Sequence, residues 1–549
     1  MVNQSKSRST TSIATPLLIA VALIIGIVVG QRSNKLATLR VLDDSGEQPV
    51  NALGTGRVEE VIRYVDARYV EEEDDEKMIK DAIHGVLENL DPHSSYIPAD
   101  HLKEVNENLK GGFSGIGVEY LILDDTLTVL RTLPDGPSLK AGILPHDRIV
   151  AVDDSVIINK KLDAKGVGNL LRGQRGSEVK VTVWRPSERA VKEITIIRGE
   201  IPNPSVDVGF MVDDKTGYVK VNRFSATTHK EFMKQVERMV KNEGMKNIII
   251  DLRQNPGGYL EEATKMLNQL FKLEGTMLVY TEGKNGKNEY KTTGHPLFDI
   301  DNVVVLVDEG SASASEIFAG AIQDDDRGVI VGRRTFGKGL VQEQYPLSDG
   351  SALRLTIAKY YTPSGRCIQK PYEDAAHYNN EFAKRLESGE MVSGKKIAVL
   401  DSTEYHTVGG DVVYGGGGII PDIYVPFDTT VFFTQTYTEA IPFVRLFAFR
   451  YAEAHQQDIK NVKNFRITND ILDAFYAYAK EKGAKINESE LPTINKEIAK
   501  DLKAYIVRYH LMEQTNEQFY RIYLQGDEVL EAGREILQER DPVGAARRR

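Results

Sequence analysis

Cysteine is nearly absent from this sequence, which contains only Cys367 in 549 residues. A disulfide within the chain is therefore impossible, and so is a cysteine-rich zinc site. We interpret Cys367 as a small half-buried residue and not as a reactive thiol. An excess of basic residues is also absent, because the formal net charge is −11. Nucleic acid is not expected as a partner, since a general nucleic-acid binder normally has a basic face.

Two familiar catalytic motifs are missing as well. No Gly-x-Ser-x-Gly elbow occurs, which weakens the case for a Ser-His-Asp hydrolase. The segment ending at Lys338 nearly forms a phosphate-binding loop, but Gly339 stands where a Ser or Thr is required. A strand and not a helix is expected after it, so a nucleotide site is excluded. The ten histidines are scattered along the chain. We interpret three of them as surface or capping residues, namely His84, His93 and His295.

The composition that is present is that of a globular protein of several domains. Hydrophobic residues make up 41% and charged residues 27% of the chain. A single hydrophobic core stops growing near ~250–300 residues, so several modules are expected.

The N-terminal segment is almost wholly apolar between residues 13 and 30. At ~1.5 Å per residue, such a helix just crosses a ~30 Å hydrocarbon layer. We expect an uncleaved signal anchor in a bacterial inner membrane, with residues 1–12 in the cytoplasm and the body in the periplasm or cell envelope. Cleavage after Gly30 is the alternative, and the flanking charges do not fix the orientation.

The remaining pattern changes several times along the chain. Helical spacing gives way to short strands and glycine turns, then to an alternation of strand and helix that predicts a layered α/β core. The predicted segments are a linker (31–52), a helical region (53–110), a β-rich module (111–200), an α/β core (201–370), an insertion (371–416), the end of the core (417–428) and a helical extension (429–549).

One turn of the α/β core suggests chemistry. It follows the apolar strand at residues 303–307 and opens a helix at Ser313. Free N–H groups and the positive dipole end at such a helix start can stabilise an oxyanion. An ordinary helix cap is the alternative reading, since serine often fills that position.

A lysine is the candidate base for that serine. Lys338 lies between glycines and apolar residues, and burial there would lower its pKa towards a working value. Gln342, four residues later, could hold the neutral amine in place. An exposed lysine in a turn is the alternative.

The motifs together resemble the carboxyl-terminal processing peptidases, also called tail-specific proteases. Those motifs are Asp251-Leu-Arg-Gln-Asn-Pro-Gly-Gly, Gly310-Ser-Ala-Ser-Ala-Ser-Glu-Ile, Thr335-Phe-Gly-Lys-Gly-Leu-Val-Gln, Tyr361-Thr-Pro-Ser-Gly-Arg and Gly418-Ile-Ile-Pro-Asp. The resemblance implies that Ser313 is the nucleophile, Lys338 the base and Gln342 its partner. It also implies oxyanion donors at the N–H of Ala314 and of Gly257 or Gly258, with Ser311 and Ser315 structural.

The resemblance further implies a multidomain α/β fold. Its parts would be a ClpP/crotonase-like protease core, an inserted PDZ-like β-rich domain, an N-terminal helical segment and a C-terminal helical extension. A substrate tail would dock in the PDZ-like domain by adding as a strand. The residues implied to bind the tail are Ser114, Gly115, Ile116, Gly117, Val118, Val167, Leu170 and Leu171.

The function expected from all of this is that of a serine endopeptidase that cuts unstructured or C-terminal tails outside the cytoplasm through an acyl-enzyme. No metal or cofactor is required. Two partners are expected: protein substrates, which bind through their C-terminal tails, and the membrane, which holds the N-terminal anchor. A second copy of the chain, forming a homodimer, and an adaptor protein are further candidates. The alternatives are a catalytically silent PDZ-type scaffold that binds tails and a hydrolase of small acyl substrates.

Overall fold

The computed structural model describes residues 55–372, 378, 380–393, 397, 399–456, 459, 462, 464–511 and 516–548. The chain divides into two compact units, residues 1–82 and 83–549. The first unit contains helix α1 (Thr55–Arg68) and the start of helix α2 (Asp75–Leu87). Asp75 and Glu76 lie in the first turn of α2, where acidic side chains interact favourably with the helix dipole.

The predicted anchor at residues 13–30 lies outside the described residues. Within the ranges that the structure describes, no helix is long and apolar enough to cross a bilayer. The predicted inner-membrane localisation is therefore corrected, because it depended on a membrane-spanning helix and none is found there.

The second unit begins with a departure from the predicted helical region. A short strand, β1 (Ser95–Ile97), precedes helix α3 (Ala99–Lys110). Strand β1 pairs antiparallel with a segment around Leu353, far along the chain, and no local pattern reveals such a partner. Helix α3 ends at Gly111, whose φ of 79° is a left-handed conformation that glycine adopts easily.

A β-rich module follows. Its elements are β2 (Gly112–Gly115), β3 (Val118–Leu123), β4 (Thr126–Thr132), α4 (Pro137–Ala141), β5 (Arg148–Val152), β6 (Ser155–Val156), α5 (Ala164–Leu171), β7 (Glu178–Arg185), β8 (Ala190–Ile197) and β9 (Gly199–Pro202). The main sheet has the order β3-β4-β5-β7-β8, with β3 at one edge. In β7, Val179, Val181 and Val183 are buried and alternate with partly exposed residues, because successive side chains of a strand point to opposite faces.

The α/β core comes next. Its elements are β10 (Val206–Met211), β11 (Thr216–Val221), α6 (Thr228–Glu243), β12 (Asn247–Asp251), α7 (Leu260–Leu267), β13 (Glu274–Gly283), β14 (Gly286–Thr293), β15 (Val303–Val307), α8 (Ala314–Asp324), β16 (Val329–Gly332), β17 (Leu340–Pro346) and β18 (Ala352–Tyr361).

The insertion and the C-terminal extension complete the second unit. Their elements are α9 (Glu381–Glu387), α10 (Glu390–Ser393), β19 (Glu404–His406), β20 (Val412–Tyr414), β21 (Ile423–Tyr424), α11 (Thr429–Phe432), α12 (Gln435–Ala454), α13 (Asn469–Glu481), a 3-10 turn (Glu488–Glu490), α14 (Leu491–Leu511), α15 (Glu517–Tyr523), α16 (Glu528–Ile536) and α17 (Pro542–Arg547).

Two sheets build the core. The central one has the order β10-β11-β12-β15-β16-β21 and is parallel from β11 onward. The second has the order β1-β18-β13-β14, with β17 also paired to β18. In the central sheet, Ile248 and Ile250 pack in the cluster that includes residues of α6, α7 and α8, whereas Ile249 packs in the cluster that includes residues of α16 and α17. The last helices of the chain therefore cover one face of the central sheet.

Another part of the C-terminal extension packs on the β-rich module. Leu121 and Leu123 of β3 contact the hydrophobic cluster of the extension, while Tyr120 and Ile122 face the core of the module. Arg508 of α14 forms a 3.0 Å ion pair with Glu119, also on β3. The alternation of side chains in one strand thus gives the module a core on one face and the extension on the other.

Candidate active site

Ser313 lies at the junction between a buried strand and a helix, as the sequence predicts. It directly precedes α8, after the fully buried strand β15. Its φ of 55° is uncommon for a residue with a side chain, and such strained conformations concentrate at functional sites. The helix start places the N–H of Ala314 beside this serine.

The two flanking serines are structural. The Oγ of Ser311 donates to the carbonyl of Leu252 at 2.9 Å, and the Oγ of Ser315 donates to the carbonyl of Asn255 at 2.9 Å. Both serines are fully buried. They attach the turn that carries Ser313 to the segment that follows β12.

That segment brings Gly257 against Ser313, with Gly258 next to it in the chain. A Cβ on Gly257 would lie 2.7 Å from the Cβ of Ser313, and its φ is 99°, so only glycine fits there. The N–H of Gly257 donates to the side chain of Asn255 at 2.9 Å. Among the described residues, the N–H groups of Gly258 and Ala314 donate to no protein acceptor. Of the predicted oxyanion donors, these two are therefore the ones left available.

Lys338 occupies the loop between β16 and β17. Its Nζ donates to the Oε1 of Gln342 at 2.9 Å, as the spacing of the two residues suggested. Burial lowers the pKa of Lys338, and the nearby cation of Arg354 lowers it further, against the opposing effects of Glu316 and Asp91. The neutral form of the amine is thereby more accessible than in an exposed lysine.

Glu316, which the sequence analysis did not assign, connects the two segments. Its Oε2 accepts hydrogen bonds from the backbone N–H of Ser313 at 2.9 Å and of Lys338 at 2.8 Å. Its Oε1 accepts from the N–H of Gly337 at 2.6 Å and the hydroxyl of Thr335 at 2.5 Å. Since one oxygen binds both backbone nitrogens, Ser313 and Lys338 are held within a few ångströms of each other at the backbone. Burial raises the pKa of Glu316 to about 7, although these hydrogen bonds oppose the shift.

Tyr360 makes a second connection between the same segments. Its buried hydroxyl donates to the carbonyl of Ser313 at 3.1 Å and also contacts the carbonyl of Lys338. The local sequence signal for Glu316 was the capping-box spacing that follows Ser313, but no local signal marks Tyr360.

His93 corrects another sequence interpretation. It is not a surface or capping residue, because its ring is half-buried and its Nε2 lies 2.5 Å from the Tyr378 hydroxyl. Its carbonyl accepts a hydrogen bond from the Nε2 of Gln342, the partner of Lys338. Burial and the Lys338 cation lower the pKa of His93 to about 4, so the ring is neutral near pH 7. Asp91 holds this loop by accepting from the N–H of His93 and of Ser94.

The insertion contacts the loop between β16 and β17, which carries Lys338. Arg385 donates to the carbonyl of Arg334 at 2.7 Å, and both arginines pair with the buried carboxylate of Glu390. The segment that the sequence analysis treated as an insertion thus contacts the loop four residues before Lys338.

A second candidate site is a cavity of about 540 Å³ between β3 and α5 of the β-rich module, which helix α3 also lines through Asp100, Lys103, Glu104 and Glu107. The predicted tail-binding residues that line it are Gly115, Ile116, Gly117, Val118, Val167 and Leu171. Ser114, which lies in the β2–β9 pair, and Leu170, which packs against the module core, are not among the residues that line this cavity, and their role in tail binding stays a prediction. The sequence analysis missed Arg172 and Phe113, which also line the cavity. The guanidinium of Arg172 lies 4.5 Å from the centre of the Phe113 ring.

Comparison with known proteins adds family matches. Residues 215–374 match the model described as peptidase family S41, and residues 441–511 match one described as a family of unknown function. A carboxy-terminal-processing protease of Bartonella bacilliformis is 35% identical over 318 residues, covering 57% of this chain and 72% of the relative. A probable CtpA-like serine protease of Staphylococcus epidermidis is 36% identical over 315 residues, covering 57% of this chain and 62% of the relative. The chain thus spans less than two thirds of that second relative.

Among solved structures, similarity extends to the PDZ domain of a carboxy-terminal protease from Vibrio cholerae in complex with a peptide. The two chains are 25% identical, and the match covers 16% of this chain and 97% of that chain, with a TM-score of 0.15.

Proposed function

Because this chain belongs to peptidase family S41, we propose that it is a serine endopeptidase that cleaves proteins at their C-terminal tails, with Ser313 as nucleophile and Lys338 as base. The resemblance to carboxyl-terminal processing peptidases, predicted from the motifs, is confirmed by the family match and by the Bartonella relative. The dyad, the docking of tails and the activity of the whole chain are our proposal.

The observation that carries the proposal is the double contact of Glu316. Its buried carboxylate accepts from the backbone N–H of Ser313 and of Lys338, two residues that the motifs mark independently as nucleophile and base. If Ser313 were only a helix cap, the loop that carries Lys338 would not need to be hydrogen-bonded to the same carboxylate. A lysine that served only solubility would not be largely buried with its amine held by Gln342.

The proposed reaction is acyl transfer. The neutral Nζ of Lys338 removes the hydroxyl proton of Ser313 as Oγ attacks the substrate carbonyl carbon, and the oxyanion receives hydrogen bonds from the N–H groups of Ala314 and Gly258. The C–N bond then breaks, and the Lys338 ammonium returns the proton to the departing amine. Water attacks the acyl-enzyme with the same base, releasing the acid and the Ser313 hydroxyl.

The pH dependence follows from the base. Lys338 is active only as the free amine, so kcat/KM should rise as the pH rises through its pKa. Because burial lowers the pKa of Lys338, that rise occurs at lower pH than for an exposed lysine. The Oε1 of Gln342 accepts a hydrogen bond from the amine of Lys338 and so keeps that amine oriented.

The cavity of the β-rich module is proposed to dock the substrate tail. Backbone N–H groups of the loop around Gly117 would bind a terminal carboxylate, and the tail would add as a strand along the edge strand β3. The apolar residues Ile116, Val167 and Leu171 would receive the last side chain. A homodimer and an adaptor remain predictions from the sequence.

The direct test is cleavage of an unfolded protein by the full chain and its variants. Ser313→Ala and Lys338→Ala should each lower kcat/KM by at least about 10³-fold, since members of such units act together. Lys359→Ala, which removes an exposed lysine of β18, is the matched control and should cleave at the wild-type rate. Cleavage retained by either dyad variant would remove the assignment, and an inactive wild type would favour the silent scaffold.

Tail docking is tested separately. A peptide with a free C-terminal carboxylate should have a lower KM than the same peptide with an amidated end. Equal KM values would leave the module without a role in recognising the terminus.

A further inference from the structure

Arg354 lies on the same face of the second core sheet as the amine of the proposed base. In the antiparallel β17–β18 pair, Gln342 is opposite Thr356 and Gln344 is opposite Arg354. Opposite residues share a face, as do residues two apart along a strand. The side chain of Arg354 is therefore a diagonal neighbour of Gln342, within reach of long side chains. Since the Lys338 amine is bonded to Gln342, it lies on this face as well.

Arg354 differs from the other half-buried or buried cations around the site. Lys370 pairs with Glu381, and Arg334 pairs with Glu390. Among the described residues, the guanidinium of Arg354 has no hydrogen bond and no ion pair, although the residue is half-buried. A partly desolvated cation without a partner is unfavourable, and a second cation nearby makes it more so. At Arg354 this cost falls on the same sheet face as the amine of the proposed base.

We propose that Arg354 is a positioning residue of the dyad, a fixed positive charge that faces the Lys338 amine across the β17–β18 pair and disfavours the ammonium form. This inference rests on the proposed function, because it assigns a purpose to the charge only if Lys338 works as a free amine. The same device, a lysine kept neutral by an adjacent cation, is a recognised route to an activated amine.

The other groups that face the amine do not replace Arg354. Glu316 of α8 and Asp91 of the loop before β1 are acidic and favour the ammonium form, whereas His93 of that loop is neutral near pH 7. Lys370, beyond His93, is neutralised by Glu381. Among these groups, Arg354 is thus the one whose charge opposes the effect of the two carboxylates on the amine of Lys338.

The test is the pH dependence of kcat/KM for the full chain on an unfolded protein substrate. Arg354→Gln removes the charge, and two charges separated by about 8–10 Å at an effective dielectric constant of about 20 interact enough to move a pKa by about 1 unit. The rise of kcat/KM should therefore move about 1 pH unit higher. Activity at pH 7 should fall about tenfold, while the plateau at high pH stays near the wild-type value.

Two further variants keep the test interpretable. Arg354→Lys retains a positive charge and should restore most of the wild-type profile. Lys359→Gln removes an exposed cation of the same strand that is not among the groups shifting the pKa of Lys338, and it should leave the profile unchanged.

Four outcomes are informative. A shifted profile with a preserved plateau supports the inference. An equal loss at every pH would overturn it, because this would indicate a contact with the substrate or a structural role. An unchanged profile in an active enzyme would also overturn it while leaving the proposed function intact, whereas loss of all cleavage by the wild type would refute the proposed function itself.

Discussion

Replacing Glu316 by Gln tests whether one buried carboxylate positions the nucleophile and the base together. The carboxylate accepts four hydrogen bonds, two on each oxygen. A glutamine amide offers one acceptor oxygen and one donor nitrogen. Whichever way the amide turns, two buried donors lose their acceptor, and either Ser313 and Lys338 or Gly337 and Thr335 are affected.

The size of the effect can be worked from those contacts. Each unsatisfied buried donor costs about 1–3 kcal/mol, so Glu316→Gln should lower the free energy of unfolding by about 2–6 kcal/mol. A shift of about 1 Å between reacting groups can lower the rate about 10²-fold. We therefore expect kcat/KM to fall at least about 10²-fold, mostly through kcat, in the fraction that remains folded.

The assay is peptide cleavage at 25 °C, normalised to the folded fraction measured by circular dichroism. Glu262→Gln is the matched control, since Glu262 is also a buried helical carboxylate that accepts from a backbone N–H, that of His229. It should lose stability but keep its activity per folded molecule. Wild-type kcat/KM in Glu316→Gln would refute the role of this carboxylate.

The remaining predictions concern three other residues, Gly257, Tyr360 and Asp501. Gly257→Ala should abolish cleavage, because the added Cβ would lie 2.7 Å from the Cβ of Ser313, and retained activity would contradict the close approach of the two segments. Tyr360→Phe removes the hydroxyl that joins the carbonyls of Ser313 and Lys338 and should lower kcat about tenfold, with KM unchanged as the check that binding is intact. Burial raises the pKa of Asp501 in α14 to about 7, so its contribution to stability is full below the unfolded pKa near 4 and is lost as the pH rises through 7. Asp501→Asn should therefore raise the melting temperature at pH 8 but not at pH 4, and an equal change at both pH values would contradict the shift.

Local sequence patterns predicted the position of the candidate site better than the contacts around it. Ser313 and Lys338 stand in short motifs with flanking glycines, and the resemblance carried by those motifs is what singles them out as the proposed nucleophile and base. The contact of Gln342 with the Lys338 amine was predicted from the spacing of four residues between them. These predictions depend on neighbours within a few positions along the chain.

Contacts between distant segments could not be predicted in this way. His93 was interpreted as a surface residue because its role depends on the pairing of β1 with β18, which joins the two halves of the chain. Tyr360 contacts the site for a similar reason, since its strand pairs with β17 and its hydroxyl contacts the carbonyls of Ser313 and Lys338. The engagement of the Gly257 N–H by Asn255 depends on a side-chain conformation within one turn, which spacing alone does not determine.

The C-terminal extension shows a related limit. Its helical pattern was predicted, but not the faces it covers. The last helices pack on the central sheet beside Ile249, and α12 and α14 contribute to the cluster that contacts β3. Amphipathic periodicity gives the apolar face of a helix and not the identity of the surface that receives it.

The central claim is that the hydroxyl of Ser313 is activated by the uncharged amine of Lys338. Its most direct test is the rate at which a fluorophosphonate labels the purified full chain, with the modified residue located by mass spectrometry. We expect the label on Ser313 in the wild type and in Lys359→Ala, and at least about 10²-fold slower labelling in Lys338→Ala. A label on another residue, or an equal rate in Lys338→Ala, would contradict the account.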